Sequence, residues 1–231
     1  MDKSTSLRFC FLVAVSLVAS SLFAPAHVEA QSEQTESQNP WVSFDEVRLT
    51  ISAGLIQPLV LRGGNVEVDV FYRRFVLGYS HGFLLKLEGS TVVGEASEQG
   101  LEFHLPYSTG VSIGYRLLEW LDVRLEAKAH RFEVRDNAGE GLVHYTTYTL
   151  GFGVYAQYRP FYHFGVRVAK WLEGFVATTS VRYWPNVATS LASDEHEYEA
   201  GGQGLRHRAA NIGIANTPFL FNISLGYMFT F

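Results

Sequence analysis

Residues 219–231 read FLFNISLGYMFTF, and their alternation decides the fold class. In an extended chain successive side chains point to opposite faces, so Phe219, Phe221, Ile223, Leu225, Tyr227, Phe229 and Phe231 share one face. All seven are apolar. In a chain that is 47% apolar, such a run arises by chance roughly half a percent of the time. The other face carries Leu220, Asn222, Ser224, Gly226, Met228 and Thr230. An unbroken apolar face backed by a small and polar one suits a strand with hydrocarbon on one side and an enclosed interior on the other.

The same two-residue period recurs upstream. In EVRLTISAG, Val47, Leu49, Ile51 and Ala53 alternate with Arg48, Thr50, Ser52 and Gly54. In NVEVDVFY, Val66, Val68, Val70 and Tyr72 alternate with Glu67, Asp69 and Phe71. A tight Arg73-Arg74 turn then leads into FVLGYSHGF, whose expected outward set is Phe75, Leu77, Tyr79, His81 and Phe83. STGVSIGY joins LDVRLEAKAH through the turn RLLEW, and there Val123, Leu125, Ala127 and Ala129 alternate with Asp122, Arg124, Glu126, Lys128 and His130. YTLGFGVYAQY (148–158), FVATTSVRYW (175–184) and the terminal segment complete the set.

These segments predict an all-β fold, a closed antiparallel up-and-down transmembrane β-barrel of eight strands, or ten if Phe164 to Ala169 adds to the count. Closure is required because lipid offers no hydrogen-bond partner to an unpaired backbone group. Short connections at Arg73-Arg74 and Arg116 to Trp120 alternate with longer ones over 84–107, 132–144 and 185–217, the asymmetry of periplasmic turns and extracellular loops. The short connection around Ile56 to Gly64 and the long one from Arg159 to Leu172 depart from that pattern. Trp41, Tyr72, Tyr115, Trp120, Tyr158, Trp171, Tyr183, Trp184 and Phe231 cluster at strand ends, where interfacial aromatic belts are expected. The competing reading is a soluble secreted β-sandwich, in which the charged face of LDVRLEAKAH meets water and its apolar face meets a core.

The start of the chain is a different kind of sequence. Lys3 and Arg8 precede an apolar run from Phe9 to Phe23, and Val28-Glu29-Ala30 offers a small-residue cleavage site. Residues 1–30 therefore read as a signal peptide for export, 31–41 as a polar lead-in, and 42–231 as the barrel. No later stretch approaches eighteen consecutive apolar residues, which excludes transmembrane helices. Cys10 is the one cysteine and lies in the signal core, so disulfides and thiolate metal sites are excluded from the remainder. The net charge of −5 argues against a nucleic-acid partner.

The C-terminal ISLGYMFTF resembles the terminal signature of bacterial outer-membrane barrels, with Tyr227, Phe229 and Phe231 as the alternating aromatic positions. Size and strand count resemble the small members, the transmembrane domain of OmpA and the OmpW group. The resemblance implies the bacterial outer membrane as location, surrounding lipid and lipopolysaccharide as partners, and recognition of the terminal signature by the barrel-assembly machinery. Oligomeric state stays open.

An eight-stranded barrel encloses just enough space for side chains, so the expected lumen is packed. Arg48, Glu67, Asp69, Asp122, Arg124, Glu126, Lys128 and Arg182 fall on the inward parity, and their mixed signs predict a lumen charge network. Buried alone, each charge would be costly, so pairing or trapped water is required. The function expected is a non-enzymatic barrel for envelope integrity, surface interaction or limited passage of small solutes. The alternative is an outer-membrane hydrolase acting on lipid A or phospholipid, with Ser80 as nucleophile. Its neighbour His81 points to the opposite face, so a base must come from elsewhere in the chain, for example His104 or His130, oriented by Glu133. SDEHEYE (193–199) reads as a solvated acidic hairpin, since it lacks the spacing of a metal-binding loop. No cofactor or metal is implied, and the glycines of GFGVYAQY lie within a strand pattern, not a phosphate-binding loop.

Overall fold

The alternating segments pair in the order that closes them. The computed structural model describes residues 46–87, 102–135, 141–163, 169–192, 195–200 and 203–231. Eleven strands are present among these: β1 (Arg48–Gly54), β2 (Gly64–Tyr72), β3 (Phe75–Leu87), β4 (Glu102–Leu118), β5 (Leu121–Arg135), β6 (Gly141–Tyr158), β7 (Phe175–Tyr183), β8 (Asn186–Thr189), β9 (Glu195–Ala200), β10 (Gln203–Arg208) and β11 (Phe219–Thr230). Eight form the wall, running β5-β4-β3-β2-β1-β11-β7-β6, and β6 pairs back with β5 to leave no open edge in the ring. All pairings are antiparallel; β1 lies between β2 and the last strand, with Ile51 opposite both Val68 and Tyr227. β8 continues the line of β7 along β6, and β9 with β10 forms a separate hairpin where the acidic segment was expected.

The barrel has eight strands, not ten; of the stretch 164–169 only Ala169 is described. The expected signal peptide, the lead-in, Trp41 and Asp194 lie outside the described residues. The start of β1 and the end of β11 meet at one rim, where the Phe231 amide donates to the Val47 carbonyl (2.9 Å). This terminal rim also carries the turns at Arg73-Arg74 and Glu119-Trp120, and the Arg159 to Gly174 connection, which holds a short helix (Pro160–His163) and a 3₁₀ turn (Lys170–Gly174). The far rim carries the longer connections and the Ile56–Val60 helical turn.

Four strands are longer than expected, and the reason is an inversion of their pattern. β3, β4, β5 and β6 run for 13, 17, 15 and 18 residues. Eighteen residues at about 3.4 Å each span roughly 60 Å, well beyond an apolar band of about 25 Å even with a tilt near 45°. On β5 the lower half turns Val123, Leu125, Ala127 and Ala129 outward and buries Asp122, Arg124, Glu126 and Lys128. The upper half buries Phe132 and Val134 and turns Arg131, Glu133 and Arg135 outward, with no break in parity. β3 and β4 reach the same result through paired irregularities: Leu84 (φ 53°) and Pro106 fall between the matched pairs Phe83↔Tyr107 and Leu85↔Leu105. Above that level Leu85, Leu87, Phe103 and Leu105 point inward. The expected loops over 84–107 and 132–144 are therefore partly strand. The pattern of apolar residues outward therefore ends at this level, because beyond it polar residues face outward and the apolar ones turn in.

The inverted halves close over a hydrophobic core at the far rim: Phe132 stacks on Tyr145 (ring centroids 5.1 Å apart) and meets Phe103 edge to face (6.4 Å). Leu191, Ala210 and Ile212, from the connection between β7 and β11, complete this lid. Trp184, expected in an interfacial belt, is instead 3% exposed and faces the interior beneath it. Tyr72, Tyr115, Tyr158, Trp171 and Phe231 do face outward.

Candidate functional site

The lumen is built from short side chains on some strands and long charged ones on others. Arg48, Glu67, Asp69, Asp122, Arg124, Glu126, Lys128 and Arg182 are all buried. Arg124 donates to Asp69 (Nη1 to Oδ1, 2.5 Å) and to Asp122 (Nε to Oδ1, 2.5 Å). Arg182 donates to Glu67 (2.6 Å) and Ser180 (2.9 Å). Lys128 stands 3.6 Å from Glu126 and donates to Ser80. Glu126 also accepts from the Tyr155 hydroxyl (2.7 Å), and Asp122 accepts from Gln157 (3.1 Å). Arg48 sits apart at the terminal rim, paired with Glu46 (3.2 Å) and Glu119 (2.7 Å).

Glycine makes this density feasible. A Cβ at Gly78 would collide with Asp69 and Ser112, and one at Gly153 would fall within 2.6 Å of a Glu126 oxygen. The space between Glu67, Asp69, Ser80, Arg124 and Arg182 amounts to a cavity of about 10 Å³, the room of about one water molecule.

Three groups that the alternation did not single out hold the network together. The Tyr155 ring lies between two guanidinium groups, Arg124 at 3.9 Å and Arg182 at 4.8 Å from its centroid. Trp184 takes Lys128 at 4.3 Å and Arg182 at 5.3 Å. A cation over an aromatic face is attracted more strongly where water is excluded. Arg116, expected in a turn, is the last inward residue of β4; it donates to the carbonyls of Arg73 (3.2 Å) and Glu119 (3.1 Å), tying two turns together. Parity alone places Tyr155 and Arg116 inward, but a search for charged strand faces passes over a lone aromatic and an arginine assigned to a loop.

The hydrolase residues are not brought together. Ser80 faces the lumen, while His81 faces outward beside Tyr79 and Phe83. His130 is 0% exposed and is held between Ser108 Oγ (2.8 Å from Nδ1) and Thr149 Oγ1 (3.0 Å from Nε2). His104 and Glu133 do meet (3.2 Å), but on the outer surface, so the barrel wall separates them from Ser80. No acid orients His130, and no opening reaches it among the described residues. Parity is the physical reason: Glu133 is an odd number of residues from His130 on one continuous strand.

Outside, just past the apolar belt, cross-strand neighbours form a charged ladder. Glu133 lies opposite His104 on β4 and His144 on β6, and accepts from Arg135 (3.1 Å). Lys86 is opposite His104, and Arg131 is opposite Tyr107. Partial burial by itself pushes the Glu133 carboxyl up, but the hydrogen bonds from His104 and Arg135 outweigh it and hold the group below its ordinary value. A carboxyl held low in the folded state contributes stability that is present above the unfolded value, about 4.3, and is lost as pH falls through the folded one. Thermal unfolding of wild type and Glu133→Gln should therefore differ at pH 6 and converge below about pH 4. A difference that persists at pH 3 would contradict the assignment.

No protein-family model matches the chain, and no curated protein does. Similar solved structures include Ail, the attachment invasion locus protein of Yersinia pestis, at 12% identity over 80% of this chain and 97% of that one, with a TM-score of 0.37. The same protein in complex with the heparin analogue sucrose octasulfate gives 12% identity, the same coverage and 0.36. A backbone structure of that outer membrane protein in a phospholipid bilayer nanodisc gives 12% identity, 80% and 99% coverage, and 0.37.

Proposed function

We propose that this chain is a non-enzymatic integral barrel of the bacterial outer membrane, closed to solutes, that holds its far rim at the cell surface for envelope integrity and surface interaction. The observation that carries this reading is the double closure of the lumen. Ion pairs and cation–aromatic contacts fill its middle, and the apolar lid of Phe103, Phe132 and Tyr145 lies above them. Conduction needs a water-lined path or a dipole-lined filter, and neither is compatible with a packed apolar layer.

The belt supports membrane insertion: on all eight wall strands the outward positions on the terminal-rim side of the charged ladder are apolar or aromatic, broken only by His81, Thr109 and Thr179 among the described residues. The rim that carries the start of β1 and the end of β11 then faces the periplasm and the far rim faces outward, as alternating short and long connections favour. Lys86, Arg131 and Arg135 stand where the phosphate groups of lipopolysaccharide would lie, and charge-assisted contacts there would anchor the barrel in the outer leaflet. Tyr227, Phe229 and Phe231 face outward on the last strand, available to assembly machinery before closure with β1.

Protein extracted with detergent and showing heat-modifiable gel mobility, then placed in planar bilayers, should give no stepwise conductance. A steady conductance that changes when Arg124 or Glu126 is neutralised would overturn closure.

A further inference from the structure

We infer that Tyr79, His81 and Thr109 form a seat on the outer wall for a lipid of the outer leaflet, and that the group recognised is a carbonyl of its acyl linkage. This inference rests on the reading of the belt as membrane-embedded. Of the three polar breaks in the belt, His81 and Thr109 are direct cross-strand partners on β3 and β4, whereas Thr179 lies apart on β7, between Ala156 and Ile223. A polar or ionisable side chain at a lipid-facing position is costly, so its presence there calls for a partner.

The three side chains are joined in one direction. Thr109 Oγ1 donates to the Tyr79 hydroxyl oxygen (3.1 Å), which leaves the phenolic proton to be given onward. The acceptor within reach of it is His81 Nδ1 (3.5 Å). A neutral imidazole that accepts at Nδ1 carries its proton at Nε2, so the relay sets the tautomer and makes Nε2 a donor. The ring lies between Tyr79 (centroids 6.5 Å apart, planes 13° apart) and Phe83 (6.4 Å, 23°). With its faces turned to these two rings, the imidazole meets lipid edge-on.

Among the described residues, Nε2 has no protein partner. Val66 on β2 shares the row with His81, and Ala129 on β5 shares it with Thr109; neither carries a hydrogen-bonding side chain. An N–H left unpaired in hydrocarbon is costly, because no water is present to take it. Lipid itself offers an acceptor at the right depth. His81 lies one outward row below Phe83, Tyr107 and Arg131, which for a strand tilted near 45° is about 5 Å along the membrane normal. With Arg131 at the phosphate level, His81 falls where acyl linkages join the headgroup to its chains. The ester or amide carbonyl is the strongest acceptor at that level, and it has no proton of its own to give.

Retention of lipid from a defined mixture tests the seat. Full-chain protein is first shown to be heat-modifiable in detergent, so a failure of the membrane reading is seen separately. It is then mixed with equal amounts of diester and diether phosphatidylcholine, freed of excess lipid and assayed by mass spectrometry for what it keeps. The two lipids differ only in the carbonyls, and wild type should retain the diester over the diether on the order of five-fold, the discrimination that one net hydrogen bond provides. His81→Phe, which keeps an aromatic in the belt, should abolish the preference. Tyr79→Phe keeps the ring but breaks the relay, and should lower the preference roughly two-fold or more. Thr179→Val, which removes the third polar break, should leave it unchanged. Lipid A as a third component separates the sources: if it displaces the diester the seat takes the glycolipid, and if it does not the seat takes a glycerophospholipid, the carbonyl being the recognised group in both. Equal retention of the two phosphatidylcholines by wild type, a preference that survives His81→Phe or Tyr79→Phe, or one lost in Thr179→Val would each overturn the proposal.

Discussion

Arg124→Met is expected to lower the stability of the folded barrel by about 3–5 kcal/mol, the cost of removing one partner from a buried ion pair. Arg124 is 3% exposed and is the common donor to Asp69 and Asp122, which lie on different strands. Methionine fills part of the space but leaves two carboxylates facing each other across a lumen with room for about one water. The penalty is therefore uncompensated charge more than lost attraction. If so, adding Asp69→Asn and Asp122→Asn to Arg124→Met should recover most of the loss, because an amide is far cheaper to bury than a carboxylate. Leu125→Ala, the adjacent outward residue at 61% exposure, should cost much less, since it faces away from the packed interior and its truncation leaves no internal cavity. Denaturant titration read by heat-modifiable mobility measures all three. An Arg124→Met barrel within 1 kcal/mol of wild type would remove the network as a determinant of stability.

Phe132→Ala should cost about 3–5 kcal/mol in the lid, the usual range for deleting a buried aromatic from a packed core. Phe132 is 0% exposed and contacts both Phe103 and Tyr145. The effect should be local. The lower part of the barrel is closed by pairing among all eight wall strands, including the lower half of β5, which this lid does not supply, so the variant should keep its heat-modifiable mobility while protease cuts the far-rim ends of β3 to β6. Arg131→Ala, next in sequence but outward, should leave proteolysis unchanged. Equal protease resistance in Phe132→Ala and wild type would show that the inverted segment is not a cooperative core.

How much of this is legible in the sequence differs between the two halves of the same strands. Alternation placed Leu125 outside and Arg124 inside because the period of two is a property of extended backbone and needs no partner. It likewise identified the eight wall strands and the tight turn at Arg73-Arg74. It failed where the surroundings changed and the chain did not: at Phe132 the period continues, but the meaning of each face reverses. Trp184 was misplaced for the same reason, as an aromatic at a strand end is interfacial only if that end faces lipid. Tyr155 was passed over because its role depends on guanidinium groups contributed by β5 and β7.

From its sequence alone this protein was determined to be an alternating, cysteine-poor set of strands that can bury charge only by closing on itself, since each residue's face follows from local geometry. Which charges pair, which histidines are kept apart, and where the barrel exchanges a polar interior for an apolar one were decided by tertiary structure. Those facts depend on register between strands and on where the surrounding medium changes, and neither is carried by any single segment.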